Sequence, residues 1–170
     1  MRRTLFESFT RGPLTEAPPQ PDDAGLKELA QSVNRAARAK LGRSLSIRQV
    51  DAGSCNGCEL EIHALNNAFY DLERFGLHFV ASPRHADVLM VTGPVTRNMR
   101  EALERTYNAT PDPKWVIAVG ACAADGGVFA GSYAVEPGVA AVVPVALHIR
   151  GCPPRPIDLL KGLLTLMKAP

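Results

Sequence analysis

Apolar positions divide the chain into segments of different period. Residues 1–23 (MRRTLFESFTRGPLTEAPPQPDD) hold four prolines and no recurring apolar spacing, which reads as an extended arm. Residues 24–41 then place Leu26, Leu29, Val33, Ala36, Ala37 and Leu41 at steps of three and four. That spacing predicts an amphipathic helix, with Asp23 as its N-cap. Lys27, Arg35, Arg38 and Lys40 fall mostly off the apolar stripe.

From Leu45 onward the pattern alternates between strand and helix. Ser46–Val50 reads as a strand and 59–74 as a helix, with Leu60, His63, Ala64, Asn67, Ala68 and Leu72 at its spaced positions. Residues 78–81 and 88–92 are short apolar runs, the second closed by Gly93-Pro94. A helix is expected over 96–107 and strands over 115–119 and 142–149. A last helix is expected over 157–168. Such alternation predicts an α/β fold with a mostly parallel sheet covered on both faces. The boundaries drawn are an arm and docking helix over 1–44 and one sheet domain over 45–170; no internal repeat is visible.

Composition narrows the function classes. The 170 residues suffice for one domain with a real core. A net charge of +2 with 6% aromatic residues gives no basis for nucleic-acid binding. No apolar run approaches the ~18 residues of a membrane span. The N-terminus lacks the apolar core of an export signal, so a cytoplasmic chain is expected. Residues 1–50 hold nine Lys/Arg against five Asp/Glu. The helix at 24–41 therefore reads either as a solvated face over a buried stripe or as a docking element for a partner subunit or anionic membrane.

The cysteines carry the chemistry. There are four: Cys55, Cys58, Cys122 and Cys152. Each follows an expected strand by a few residues: the CxxC pair after 46–50, Cys122 after 115–119, and Cys152 after 142–149. In an open α/β sheet those loops share one edge, where ligands bind. Small residues flank each thiol, in Gly53-Ser-Cys-Asn-Gly-Cys58, Gly120-Ala-Cys122 and Gly151-Cys152. Without export, four thiols suggest a metal site rather than disulfides. An iron–sulfur cluster, a structural Cys₄ zinc site and unliganded or redox-switch thiols are the three readings. Zinc ribbons usually pair two close CxxC knuckles, whereas here one pair joins two isolated cysteines over a long span.

The stretches GSCNGCELEIHAL (53–65), YDLERFG (70–76), ASPRHADVLMVTGPVTRNM (81–99), PDPKWVIAVGACAADGGVF (111–129) and VVPVALHIRGCPPRPIDLLKGLL (142–164) run in one collinear order. In them the chain resembles the small subunits of group 4, membrane-bound [NiFe] hydrogenases of the formate hydrogenlyase and hydrogenase-4 kind. It also resembles the homologous 20-kDa subunit of NADH:quinone oxidoreductase, complex I. That complex I subunit has adjacent cysteines at the first ligand position, so the Cys55-Asn-Gly-Cys58 spacing is similar to the hydrogenase branch. The resemblance implies a flavodoxin-like, doubly wound domain holding one [4Fe–4S] cluster through Cys55, Cys58, Cys122 and Cys152. It further implies that this cluster is the one proximal to a [NiFe] site on a separate hydrogenase-type large subunit. Electrons would arrive from a ferredoxin-like iron–sulfur subunit. The complex would rest on membrane-arm subunits, with this chain peripheral on the cytoplasmic side of the membrane. A quinone-reductase-type subunit and a zinc binding module are the alternatives. Residues 130–141 (AGSYAVEPGVAA) depart from the longer, aromatic-rich segment of that family.

Other polar residues carry weaker expectations. Glu61 matches an acidic position of the family and could couple a proton to an electron, or it could be a partly exposed helix carboxylate. Glu59 reads as solvated. Arg84 and His85 could line a subunit interface near the cluster or sit in an ordinary polar loop. His63, His78 and His148 lack metal spacing and read as packing or surface residues. No nucleotide loop and no hydrolase triad is present.

Overall fold

The computed structural model describes residues 23–169. The extended arm expected over 1–23 lies outside what is described except for Asp23, which opens the first helix, and the capping role read for the Asp23 side chain lies outside it too. Helix α1 (Asp23–Leu41) leads into strand β1 (Leu45–Asp51), and α2 (Gly57–Ala64) follows. Next come β2 (Leu77–Phe79), β3 (Val88–Thr92), α3 (Arg97–Ala109) and β4 (Trp115–Val119). The short α4 (Ala121–Asp125), β5 (Leu147–Ile149) and α5 (Pro156–Lys168) complete the chain. The five strands form one all-parallel sheet in the order β2-β1-β3-β4-β5, the doubly wound order of flavodoxin-like folds.

Strand alternation explains how both faces fill. Ile47, Val88, Met90, Ile117 and Val119 point to one face, where α1, α2 and α5 add Val33, Ala37, Ile62, Leu159 and Leu163. Val50, Leu89, Val91, Val116 and Ala118 point to the other, closed by Leu103 of α3 and Ala123 of α4. Every residue of β3 is buried, as a central parallel strand requires. The α1 stripe of Leu26, Ala30, Val33 and Ala37 is buried in this chain's own core, with α1 lying along α5. Lys40 fixes the end of that pairing, donating to the Ala169 carbonyl at 2.7 Å while its ammonium sits over the Trp115 ring.

Two expected elements come out shorter. The helix expected over 59–74 ends at Ala64, and only a 3₁₀ turn, Leu72–Phe75, follows. Asn67 Oδ1 accepts from the amides of Phe69 and Tyr70 at 2.9 Å, offering the backbone a turn in place of helical bonding. The strand expected over 142–149 pairs only at Leu147–Ile149. Pro144 has no amide to donate to a ladder, and a 3₁₀ turn at Val139–Ala141 precedes it.

Asp87 ties the entry of β1 to the start of β3. It is buried and accepts from both terminal nitrogens of Arg43 and, at 2.9 Å, from the Ser46 amide. Asp87→Ala strands that amide and breaks the pair, and Arg43 is more than half exposed, which dilutes the charge contribution. We expect a loss of about 2 kcal/mol in urea unfolding of the apo chain. A change below about 0.5 kcal/mol, the scatter of ordinary surface substitutions, would show that the clamp is dispensable.

Candidate functional site

The register of the sheet decides where the site forms. Asp51, Thr92, Val119 and Ile149 are neighbours across β1, β3, β4 and β5, so these four strands end in one row. The loops leaving them line a single cavity of about 120 Å³. Its walls include all four cysteines, with Gly93 and Pro94 from the loop after β3 and Pro153 beside Cys152. Larger hollows exist, such as one of about 690 Å³ between α1 and α5, but none of their lining residues is a cysteine.

Local bonding builds each cysteine loop. Asp51 Oδ1 caps the turn after β1, accepting from the Gly53 and Ser54 amides at 2.8 and 2.9 Å. Ser54 Oγ then accepts from the Asn56 amide, and Asn56, at φ 70°, turns the chain into α2. The β4 and β5 loops are stitched together by Gly120 N–H to the Ile149 carbonyl and Ala121 N–H to the Gly151 carbonyl, both 2.8 Å. Gly120 is needed for its lack of a side chain: it holds φ +90°, and a Cβ there would stand 2.6 Å from Cys58 Sγ.

The cysteines differ in surroundings. Cys58 and Cys122 are half-buried, whereas Cys55 and Cys152 are exposed. Burial pushes the Cys58 thiol up to about 12, with smaller contributions from the Glu59 carboxylate and the other three cysteines. Burial also raises Cys122, helped by Cys152 and opposed by the Val128 amide, which donates to it. The donor set thus repels added negative charge within itself, and a cationic group held by all four sulfurs would relieve that repulsion. Among the described residues, no three His, Cys, Asp or Glu side chains are grouped to hold one metal ion. The four cysteines instead stand around a shared hollow. Four thiol donors around a cavity of this size, with Gly120 leaving the space beside Cys58 Sγ clear, fit a polynuclear iron–sulfur group.

The remaining sequence candidates do not line this cavity. Glu61 lies on α2, half-exposed, one turn beyond Cys58. Arg84 and His85 are in a 3₁₀ turn on the crossover from β2 to β3. Glu59 corrects an expectation: it is buried, 3% exposed, and both its carboxylate oxygens are buried without a protein hydrogen-bond partner. The phase of α2 is responsible. Glu59 and Ile62, three apart, face inward, while Leu60 is 60% exposed and His63 points out. Asp125 escaped the sequence reading, although Asp-Gly-Gly after a helical run is a turn signal. Its Oδ1 accepts from the Gly127 amide and its Oδ2 from Arg150, two residues before Cys152.

Fold and site together define a flavodoxin-like α/β domain with a four-cysteine centre on its ligand-binding edge. The chain belongs to the family of the NADH ubiquinone oxidoreductase 20 kDa subunit, whose model matches residues 55–166 and so includes every cysteine. A probable membrane-bound hydrogenase subunit of Pyrococcus furiosus is 47% identical over 75% of this chain and 77% of its own length. Formate hydrogenlyase subunit 7 of Escherichia coli is 46% identical over 81% of this chain, which spans only 54% of that protein. An NADH-quinone oxidoreductase subunit of Clostridium beijerinckii is 49% identical over 64% of this chain and 65% of its own length. Among solved structures, a chain of the membrane-bound sulfane sulfur reductase, an archaeal respiratory membrane complex, superposes with a TM-score of 0.66 at 36% identity. That match covers 81% of this chain and 74% of the other. A chain of an NAD⁺-reducing [NiFe]-hydrogenase shares the fold, with a TM-score of 0.55 at 20% identity over 72% and 92% of the two chains. Among the described residues no helix is long and apolar enough to cross a membrane.

Because its thiol is held protonated, Cys58 in the apo chain should resist alkylation. Raising a thiol from 9.0 to about 12 cuts the thiolate fraction at pH 8 about a thousandfold. Higher intrinsic nucleophilicity offsets part of this, leaving a reaction tens of fold slower than that of a free cysteine. Iodoacetamide labelling followed by peptide mass mapping reads the rate, which should rise as pH rises towards 12. Labelling of Cys58 as fast as free cysteine would contradict the burial seen here.

Proposed function

We propose that this chain is an electron-transfer subunit that holds one [4Fe–4S] cluster through Cys55, Cys58, Cys122 and Cys152. The observation that carries this reading is the convergence of all four cysteines on one cavity at the carboxyl edge of the sheet. When bound there, such a cluster accepts and passes on single electrons. The chain's own residues do the rest. The four cysteines would hold the group as thiolates, and Gly93, Pro94, Gly151 and Pro153 complete the cavity wall around them. Zinc is disfavoured by the spacing of the donors. One CxxC pair is joined to two isolated cysteines over a 97-residue span, whereas zinc ribbons pair two close knuckles.

The relatives supply the setting. We place the chain in a multi-subunit, membrane-bound oxidoreductase of the group 4 hydrogenase kind, as the 47% identical Pyrococcus subunit and formate hydrogenlyase subunit 7 suggest. In that setting its cluster is proximal to a [NiFe] site on a hydrogenase-type large subunit. A ferredoxin-like subunit supplies electrons, membrane-arm subunits lie below, and the chain is peripheral on the cytoplasmic side. Glu61, half-exposed one turn beyond Cys58, is assigned to the cluster surroundings, and Arg84 and His85 to a subunit contact. A second reading follows from the sulfane sulfur reductase match: the same electron carrier serving a large subunit that reduces sulfur rather than protons. A complex I-type role is the third, on the strength of the NADH-quinone oxidoreductase relative.

Anaerobic purification should give about four irons and four sulfides per chain and an S = 1/2 EPR signal after dithionite. Cys→Ser at each of the four positions should abolish or degrade that signal. A full [4Fe–4S] signal in all four single variants, or stoichiometric zinc without sulfide, would overturn the assignment. Hydrogen evolution or sulfide release by the purified complex separates the two leading settings.

A further inference from the structure

Asp125 is the last residue of α4, three positions after Cys122, and its two carboxylate oxygens serve two different ligand loops. Oδ1 accepts from the Gly127 amide at 3.0 Å. Oδ2 accepts from Arg150 Nη1 at 3.1 Å. The first bond fixes the turn Gly126-Gly127, in which Gly126 sits at φ +87° and Gly127 at φ +50°. That turn lies so close under the ligand that a Cβ on Gly127 would stand 3.0 Å from both the Cys122 amide nitrogen and Cys122 Sγ. The next amide along, that of Val128, donates to Cys122. The second bond holds the guanidinium of Arg150 against this loop, although Arg150 belongs to the segment between β5 and Cys152.

We propose that Asp125 is a positioning residue for the cluster, holding the Gly126–Val128 turn against Cys122 with one oxygen and Arg150, two residues before Cys152, with the other, and thereby setting the reduction potential. The inference rests on the electron-carrier reading. Amides donated to a ligand sulfur and nearby positive charge both favour the reduced, more negative cluster and raise its potential. Asp125 and Arg150 are both mostly exposed, so their ion pair contributes little to stability. Its effect belongs to geometry and potential rather than to folding. The Asp125 carboxyl is held below its usual range, first by the Gly127 amide and then by Arg150, so both contacts persist through neutral pH.

Two substitutions separate position from charge. Asp125→Asn and Asp125→Ala remove the same negative charge, but only the asparagine keeps an acceptor for the Gly127 amide. EPR-monitored redox titration of the full chain, purified anaerobically, should put the Ala variant at a lower potential than the Asn variant. Arg150→Gln should lie below the wild type, with a shift that shrinks as salt is raised. Loss of the cluster in the Ala variant alone, with the Asn variant loaded, supports the same conclusion. Equal potentials for Asp125→Asn and Asp125→Ala would reduce Asp125 to a bystander charge and overturn the proposal. A wild-type chain that binds no iron and sulfide fails earlier, at the electron-carrier reading itself.

Discussion

Parallel pairing in register is the constraint on which the rest of this molecule depends. Because Asp51, Thr92, Val119 and Ile149 stand side by side, four strands release their chains at one height along one edge. Each loop then has to turn within a few residues, and each brings small residues and a thiol or a proline to the same hollow. A slip of one residue in any strand would reverse which side chains face each core. The packing of Ile47, Met90 and Ile117 on one face and Leu89, Val91 and Val116 on the other therefore fixes the register, and with it the distance between cysteines 97 positions apart. Core and site are specified by the same residues.

The electrostatics of the edge run against ionised sulfur. Cys58 is desolvated, it neighbours a buried carboxylate, and three further thiols crowd the cavity. In the apo chain these conditions hold the proton on Cys58. Under the proposed function, binding an iron–sulfur group would exchange that proton for metal charge, so loading and proton release would be one equilibrium. Glu59, whose two carboxylate oxygens are buried without a protein hydrogen-bond partner, adds to the rise of the Cys58 thiol.

What could be read from the chain was whatever repeats or stands out locally. β3 and β4 are continuous apolar runs, and cysteines just past strand ends point to a shared edge, so sheet class and convergence followed directly. The misreadings arose where a side chain competes with the backbone. Asn67 ends α2 by capping a turn, Pro144 removes a ladder donor, and α4 is five residues long, too short to show a period. The phase of α2 was illegible for a related reason. It is set by the turn from Ser54 to Asn56 that aims Cys58 at the cavity, so Glu59 goes in and Leu60 out against their hydropathy. Asp125 pairs with a residue 25 positions further along the chain, and no local pattern announces such a pair.

Exposure at the edge also bears on what kind of protein this is. Cys55 and Cys152 are open to solvent in the single chain, and Leu60, Val128, Phe129 and Tyr133 are exposed as well. Leu60 lies two residues beyond Cys58, and the segment carrying Val128, Phe129 and Tyr133 follows the Gly126-Gly127 turn under Cys122. Large apolar side chains left uncovered on segments that adjoin the cysteine loops mark a surface that another protein covers. Solvent exposure is one of the variables that set an iron–sulfur potential. A subunit that docks over this edge would therefore act on the redox centre twice, by excluding water from the two exposed ligands and by fixing the turn that Asp125 already holds. The chain alone supplies the four sulfurs, and under the proposed electron-carrier function the working potential would be set only with such a subunit in place.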